Sequence, residues 1–216
     1  YPNKELIVVD RYSTDQTPQI AKRWADSFYQ FGFERGAQSN YGIWKARGEL
    51  IYLTGSDMLR DTNYLSQAVE RIAEGYDAIY ASVLTDWRVE HFWGRVKALE
   101  RQTYINDNTI ESARFFKKEV WEKLGKFDEQ LVQVEEDFQH RLDKAGYKTG
   151  RIKAREYHLH EEDTLKKIFK KSYYYGGFMK YYLVKHKSRG RKQLYPLRNA
   201  FVRNWRLLLK HPILTG

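Results

Sequence analysis

Four short runs hold the groups able to do chemistry in this chain. Asp57 ends the run Thr54-Gly55-Ser56-Asp57, directly after the apolar stretch Leu50–Leu53. A carboxylate at the end of a buried strand can hold a hard cation, which in turn grips a diphosphate. A lone Asp in a turn more commonly caps that turn. Asp10 closes the apolar stretch Leu6–Val9 and can accept hydrogen bonds from a ribose, a base or the following turn. Glu135-Glu136-Asp137 places three acids at the start of a helical pattern, where the helix dipole favours them. Their crowding raises the proton affinity of one, as a general base requires. His158-Leu159-His160 points two imidazoles to the same side of a strand, a spacing that suits a metal or a phosphate. There is no cysteine, so disulfides, zinc-thiolate sites and thiol nucleophiles are excluded.

These groups need a scaffold, and the pattern predicts one. Strand signals at Leu6–Val9, Leu50–Leu53, Ala78–Leu84 and Thr149–Leu159 alternate with helical signals. A weak strand is expected around Tyr29–Phe33. Helices are expected at Ile20–Phe28 (opened by Pro18), Gly36–Ala46, Asn63–Ala73, Val89–Thr103, Val120–Leu124 and Glu135–Ala145, the last closed by Gly146. Such alternation implies an α/β fold with a mostly parallel central sheet flanked by helices. Ligands of such sheets bind beyond the carboxyl ends of strands, so Asp10 and Asp57 are expected to project into one crevice.

Charge divides the 216 residues unevenly. Residues 164–216 hold 14 Lys or Arg, ten Phe, Tyr or Trp, and no acid, whereas residues 1–163 hold 24 basic and 28 acidic residues. The reading is a mildly acidic body over 1–163, expected to carry the chemistry, and a basic, aromatic-rich helical extension over 164–216. Helices are expected at Thr164–Lys187 and Leu194–Lys210, with a break at Ser188–Arg191. The extension points to a polyanion, an anionic membrane surface or a nucleic acid; the membrane is preferred, because nucleic-acid binding would leave Asp10, Asp57 and Asp137 idle. No run approaches the ~20 apolar residues of a membrane span.

Together the runs resemble the family 2 glycosyltransferases with the A-type nucleotide-sugar-binding fold. IVVDRYSTDQT is similar to that family's VDxxSxD segment. SNYGIWKARGELIYLTGSDM is similar to its helix, strand and DxD motif, GKFDEQLVQVEEDFQHRLDKAGYKT to its FDE…ED…R…GY segment, and HLHEEDTLKKIFKKSYYYGG to its histidine and basic-helix continuation. The four matches stand in order over roughly Lys4–Lys187.

The resemblance implies an inverting, metal-dependent glycosyltransferase using Mn2+ or Mg2+. It would move a hexose from a UDP- or GDP-linked donor to a hydroxyl of a glycan or lipid-linked acceptor, at the inner face of the cell membrane. It assigns Asp10, Arg35, Asn40, Ser56 and Asp57 to the donor nucleotide, Asp57 and His160 to the metal, and Asp137 to the base. Glu136 and His158 fall to the acceptor or to support of the site. Two departures stand out. Gly55 replaces the first acid of the DxD motif. The strand-helix unit with which the family begins is also absent before Tyr1, so an unfilled place is expected beside Leu6–Val9. A catalytically inactive relative is the alternative these departures allow, and a nucleic-acid-binding protein is the alternative the basic extension allows.

Overall fold

The structure is a computed structural model, and it describes residues 1–85, 91–107, 110–159, 164–186 and 199–215. The chain folds as two compact units. The first comprises Tyr1–Leu53, Ala68–Ile79 and Ala113–Gly150, and the second Thr54–Gln67, Tyr80–Ser112 and Arg151–Gly216.

In the first unit β1 (Ile7–Asp10) pairs in parallel with β2 (Ser27–Gln30), joined by α1 (Thr17–Trp24). Pro18 opens α1, as its fixed φ favours. The helix stops at Trp24, short of the expected Phe28, because Phe28 is needed in β2 opposite Val8. Next come α2 (Arg35–Lys45) and β3 (Leu50–Tyr52). The second unit takes over with β4 (Met58–Arg60), and α3 (Tyr64–Ala73) carries the chain back. The expected strand Ala78–Leu84 is two strands, β5 (Ala78–Tyr80) and β6 (Val83–Thr85), and α4 spans Phe92–Thr103. Residues 89 and 90 of the helix expected there lie outside the described residues. After β7 (Phe115–Lys117), α5 (Lys118–Lys123) and α6 (Val134–Ala145), the expected strand Thr149–Leu159 is likewise two, β8 (Thr149–Arg151) and β9 (Glu156–His158).

The α/β reading holds, with one change: pairing is mixed rather than mostly parallel. The order β3-β7-β5-β8 places β7 antiparallel to both neighbours. Among the described residues β1 pairs with β2 alone and β3 with β7 alone. The core of the first unit is Phe116, Phe127 and Phe138, each within 6.1 Å of the others, ring centre to ring centre, and each at most 4% exposed.

The second unit holds the sheet β4-β9-β6. Gln67 Oε1 accepts from the backbone of Lys153 and Ala154, and an Asp61 carboxylate oxygen accepts from Arg155 N. These bonds satisfy the backbone of the 153–155 turn and return β9 antiparallel to β4. The extension contributes α7 (Leu165–Lys185), α8 (Asn199–Arg203), α9 (Trp205–Leu209) and α10 (Pro212–Thr215). The break expected at Ser188–Arg191 lies outside the described residues. Arg203 donates to Asp107 at 2.9 Å and Asn204 to the Thr103 carbonyl at 2.9 Å, so α8 is tied to the end of α4.

Candidate active site

Two clusters of polar groups stand out, one in each unit. That of the first unit gathers at the start of α6. Glu135, Glu136 and Asp137 all fall in its first turn, and Gly146 at φ 75° ends the helix in the left-handed conformation that glycine tolerates. α2 approaches closely enough that a Cβ at Gly36 would lie 3.1 Å from Glu129 Cα and 3.2 Å from Val134. That approach sets Arg35 beside α6, where its guanidinium pairs with the buried Glu135 carboxylate. Arg114 stands 4.0 Å from the same oxygen.

Within three consecutive acids the environments diverge. Asp137 is fully buried, and its carboxylate accepts from Arg141 Nε at 2.9 Å. Arg141 also donates to the Leu124 and Lys126 carbonyls, at 2.5 and 2.7 Å. These bonds hold the loop where Gly125 and Lys126 both have positive φ. Asp137 thus stands in a hydrogen-bonded network with Arg141 and the 124–126 backbone. Glu136 is half-buried, and its carboxyl is pushed up to about 7 by desolvation and by the charge of Glu135.

Asn40 is buried on α2 and engaged on both sides of its amide. It donates to Phe127 O at 3.0 Å and Glu129 Oε1 at 2.8 Å, and accepts from Phe127 N at 2.9 Å and Trp121 Nε1 at 3.3 Å. This pins the 125–129 loop. Asp10 is buried at the end of β1, with bonds from Ser13 N (2.8 Å), Ser13 Oγ (2.5 Å) and Gln30 Nε2 (3.0 Å). Burial pushes its carboxyl up, but these bonds outweigh burial and hold it below the usual range.

The second unit's cluster lies where β4 meets β9. Met58 is the register partner of His158, and the Asp57 carbonyl accepts from Leu159 N at 2.8 Å. Asp57 Oδ2 then lies 3.1 Å from His158 Nε2. The Asp57 side chain is 54% exposed and that of His158 only 16%. Burial pushes the imidazole down against the opposing pull of Asp57, and Arg101 and Lys171 push it the same way as burial. Ser56 is exposed in the turn before Asp57. A Cβ at Gly55 would lie 2.6 Å from Asp57 Oδ1, so the missing acid of the motif leaves room that Asp57 occupies. His160 lies outside the described residues, and His158 is the imidazole set against Asp57. Among the described residues no three acids or histidines group as metal ligands. Asp57 and His158 are the two groups brought together there that could donate to a cation.

The structure thus joins Arg35 to the acids of α6 and Asp57 to His158, and leaves Asn40 and Asp137 inside structural networks. Arg101 and Lys171 were missed by sequence reasoning, and Glu135 was given no role of its own there. Glu135 was legible as part of the acidic run, but nothing local ties Arg101 or Lys171 to His158.

The helices and sheets described are those of an A-type nucleotide-sugar fold. The family description "Glycosyl transferase family 2" matches residues 1–132, and the chain belongs to that family. Among solved structures it is similar to TarS 1–349 of S. aureus in complex with UDP-GlcNAc, with a TM-score of 0.59 and 18% identity over 83% of this chain. It is also similar to the mannosyltransferase PcManGT of Pyrobaculum calidifontis in complex with GDP-Man and Mn2+, with a TM-score of 0.51 and 23% identity over 68% of this chain. The chain spans 56% and 45% of the lengths of those two proteins. A comparison with curated proteins finds no match.

Proposed function

We propose that the protein transfers a sugar from a nucleotide-diphosphate donor to an acceptor hydroxyl, with inversion at the anomeric carbon. The observation that carries this reading is the Asp57–His158 pair, an exposed carboxylate 3.1 Å from an imidazole. Asp57 and His158 would hold Mn2+ or Mg2+, and the bound cation would neutralise the leaving diphosphate. Arg101 and Lys171 add positive charge around His158, which favours phosphate there. Asp10 and Ser56 would serve the nucleoside side of the donor. Arg35 would pair with Glu135 rather than contact the nucleotide.

The base is reassigned from Asp137 to Glu136. A general base works best with a pKa near the operating pH, and Glu136 at about 7 meets that condition. Asp137 would have to leave Arg141 and become exposed to reach any acceptor. Glu136 would take the acceptor's proton as the hydroxyl oxygen attacks the anomeric carbon opposite the leaving diphosphate. One displacement with one base inverts the centre. The acceptor would be a glycan or lipid-linked hydroxyl at the inner face of the membrane.

The test is calorimetry of UDP and GDP binding with and without Mn2+, for wild type and Asp57→Ala. Manganese should tighten binding in wild type and do little in the variant. Equal nucleotide affinity in the two proteins, with metal present, overturns the assignment.

A further inference from the structure

The longest helix carries a surface that the transfer chemistry leaves unused. On α7 the more buried residues are Ile168, Phe178, Met179, Tyr182 and Leu183, which gather on one side of the helix. Tyr182 is 1% exposed and its ring lies 5.0 Å from that of His186. The opposite stripe, stepping by three and four residues, holds Lys166, Phe169, Lys170, Tyr173, Lys180 and Val184. A helix packed on one side ordinarily turns polar residues to water on the other. Here Phe169 is 71% exposed, Tyr173 88% and Val184 66%, interleaved with lysines.

We propose that this outward face of α7 is a docking surface for an anionic lipid bilayer, on which the helix lies flat. Charge selects the sign of the partner: α7 has six basic residues and no acid, and no acid occurs anywhere from 164 to 216. All six are lysines. Lysine is a point charge suited to diffuse lipid phosphates, whereas arginine is the residue that grips one phosphate in a fork. The rings and Val184 select the phase. Nucleic acid would take up the lysines but leave Phe169 and Val184 in water, while a membrane interface accepts both. The 21 residues give ~30 Å of continuous helix along the surface. Among the described residues no helix is long and apolar enough to cross a membrane, so the helix lies on the bilayer rather than through it. The inference is independent of the transfer reading, because none of the six outward residues belongs to the Asp57–His158 pair or the α6 cluster.

The experiment is co-sedimentation of the full chain with vesicles of phosphatidylcholine alone, or with a third of the lipid replaced by phosphatidylglycerol. Wild type should bind the anionic vesicles and scarcely the neutral ones. Each lysine held at such a surface multiplies affinity roughly fivefold, so K166Q/K170Q/K180Q should weaken binding on the order of a hundredfold. F169S/Y173S/V184S should keep the charge attraction at low salt and lose the part of binding that survives 0.5 M salt. Both variants change exposed positions only, and matched helical circular dichroism and Tm establish that they fold. Equal binding to neutral and anionic vesicles overturns the proposal, as does wild-type binding by either variant at high salt or by the lysine variant at low salt. Displacement from anionic vesicles by equimolar single-stranded RNA overturns it in favour of nucleic acid.

Discussion

The polar groups of the first unit and those of the second unit are held in opposite ways. Asp137 and Asn40 have their hydrogen-bonding capacity turned inward, on Arg141 and on the 125–129 loop. Asp57 meets one imidazole and is otherwise more than half exposed. A carboxylate without exposure contributes to the fold, and one with exposure is available to a ligand. Glu136 lies between these cases, half-buried and with its carboxyl pushed up to about 7. Substitutions that separate loss of stability from loss of binding or rate therefore test the division directly.

The largest effect is expected at Asp137. Asp137→Ala leaves Arg141 without its buried partner, and breaking a buried pair costs about 3–5 kcal/mol. Urea unfolding should show a loss of that size. A small loss of stability with complete loss of transfer would return the catalytic role to Asp137.

Glu136→Gln should reverse that pattern, with an intact fold and a rate lowered ~10²–10⁴-fold, the usual share of a general base. The wild-type rate should rise with pH through about 7, because the base must be ionised. That limb should vanish in the variant. Stability has the opposite slope. The folded pKa lies above the ordinary 4.5, so the fold favours the protonated form. This contribution is full below 4.5 and lost as pH rises through 7, and Glu136→Gln should flatten it. A wild-type pH–rate limb that persists in the variant would assign the base elsewhere.

The division was only partly legible in the sequence. The strands Ile7–Asp10 and Leu50–Tyr52 and the helix closed by Gly146 followed from apolar runs and turn chemistry. The run Glu135-Glu136-Asp137 was legible as a site, but not which acid does what. That depends on Arg141 one turn further along α6 and on Arg35 a hundred residues earlier. A one-residue step on a helix turns a side chain by about 100°, enough to exchange burial for exposure. The two histidines were legible as a pair on one side of a strand. That His158 meets Asp57 follows from the β4–β9 register, which rests on Asp61 and Gln67 shaping the 153–155 turn. The mixed pairing around β7 was not legible, since a short apolar strand reads the same in either direction.

Asn40→Ala should cost about 2 kcal/mol, because Phe127 N and Trp121 Nε1 lose their buried acceptor. Thermal unfolding with and without UDP reads both sides of the division. The Tm should fall, and the increase that UDP produces should be unchanged. A lost UDP response at unchanged Tm would move Asn40 into the donor site.

The smallest effect is expected at Asp10, which tests the division most finely. Its carboxylate accepts three bonds from Ser13 and Gln30, yet it ends a strand where a nucleoside is expected to lie. Asp10→Asn keeps one acceptor oxygen and removes the charge, so a loss of about 1 kcal/mol is expected near neutral pH. The folded carboxyl lies below its ordinary 3.8, so its contribution is present above that value and lost as pH falls through the folded one. Unfolding free energies of wild type and variant should therefore differ at pH 7 and converge in acid. If the turn is Asp10's whole role, UDP affinity stays the same in the two proteins. If stability is unchanged and UDP affinity falls tenfold, Asp10 belongs with Asp57 among the groups left for the donor.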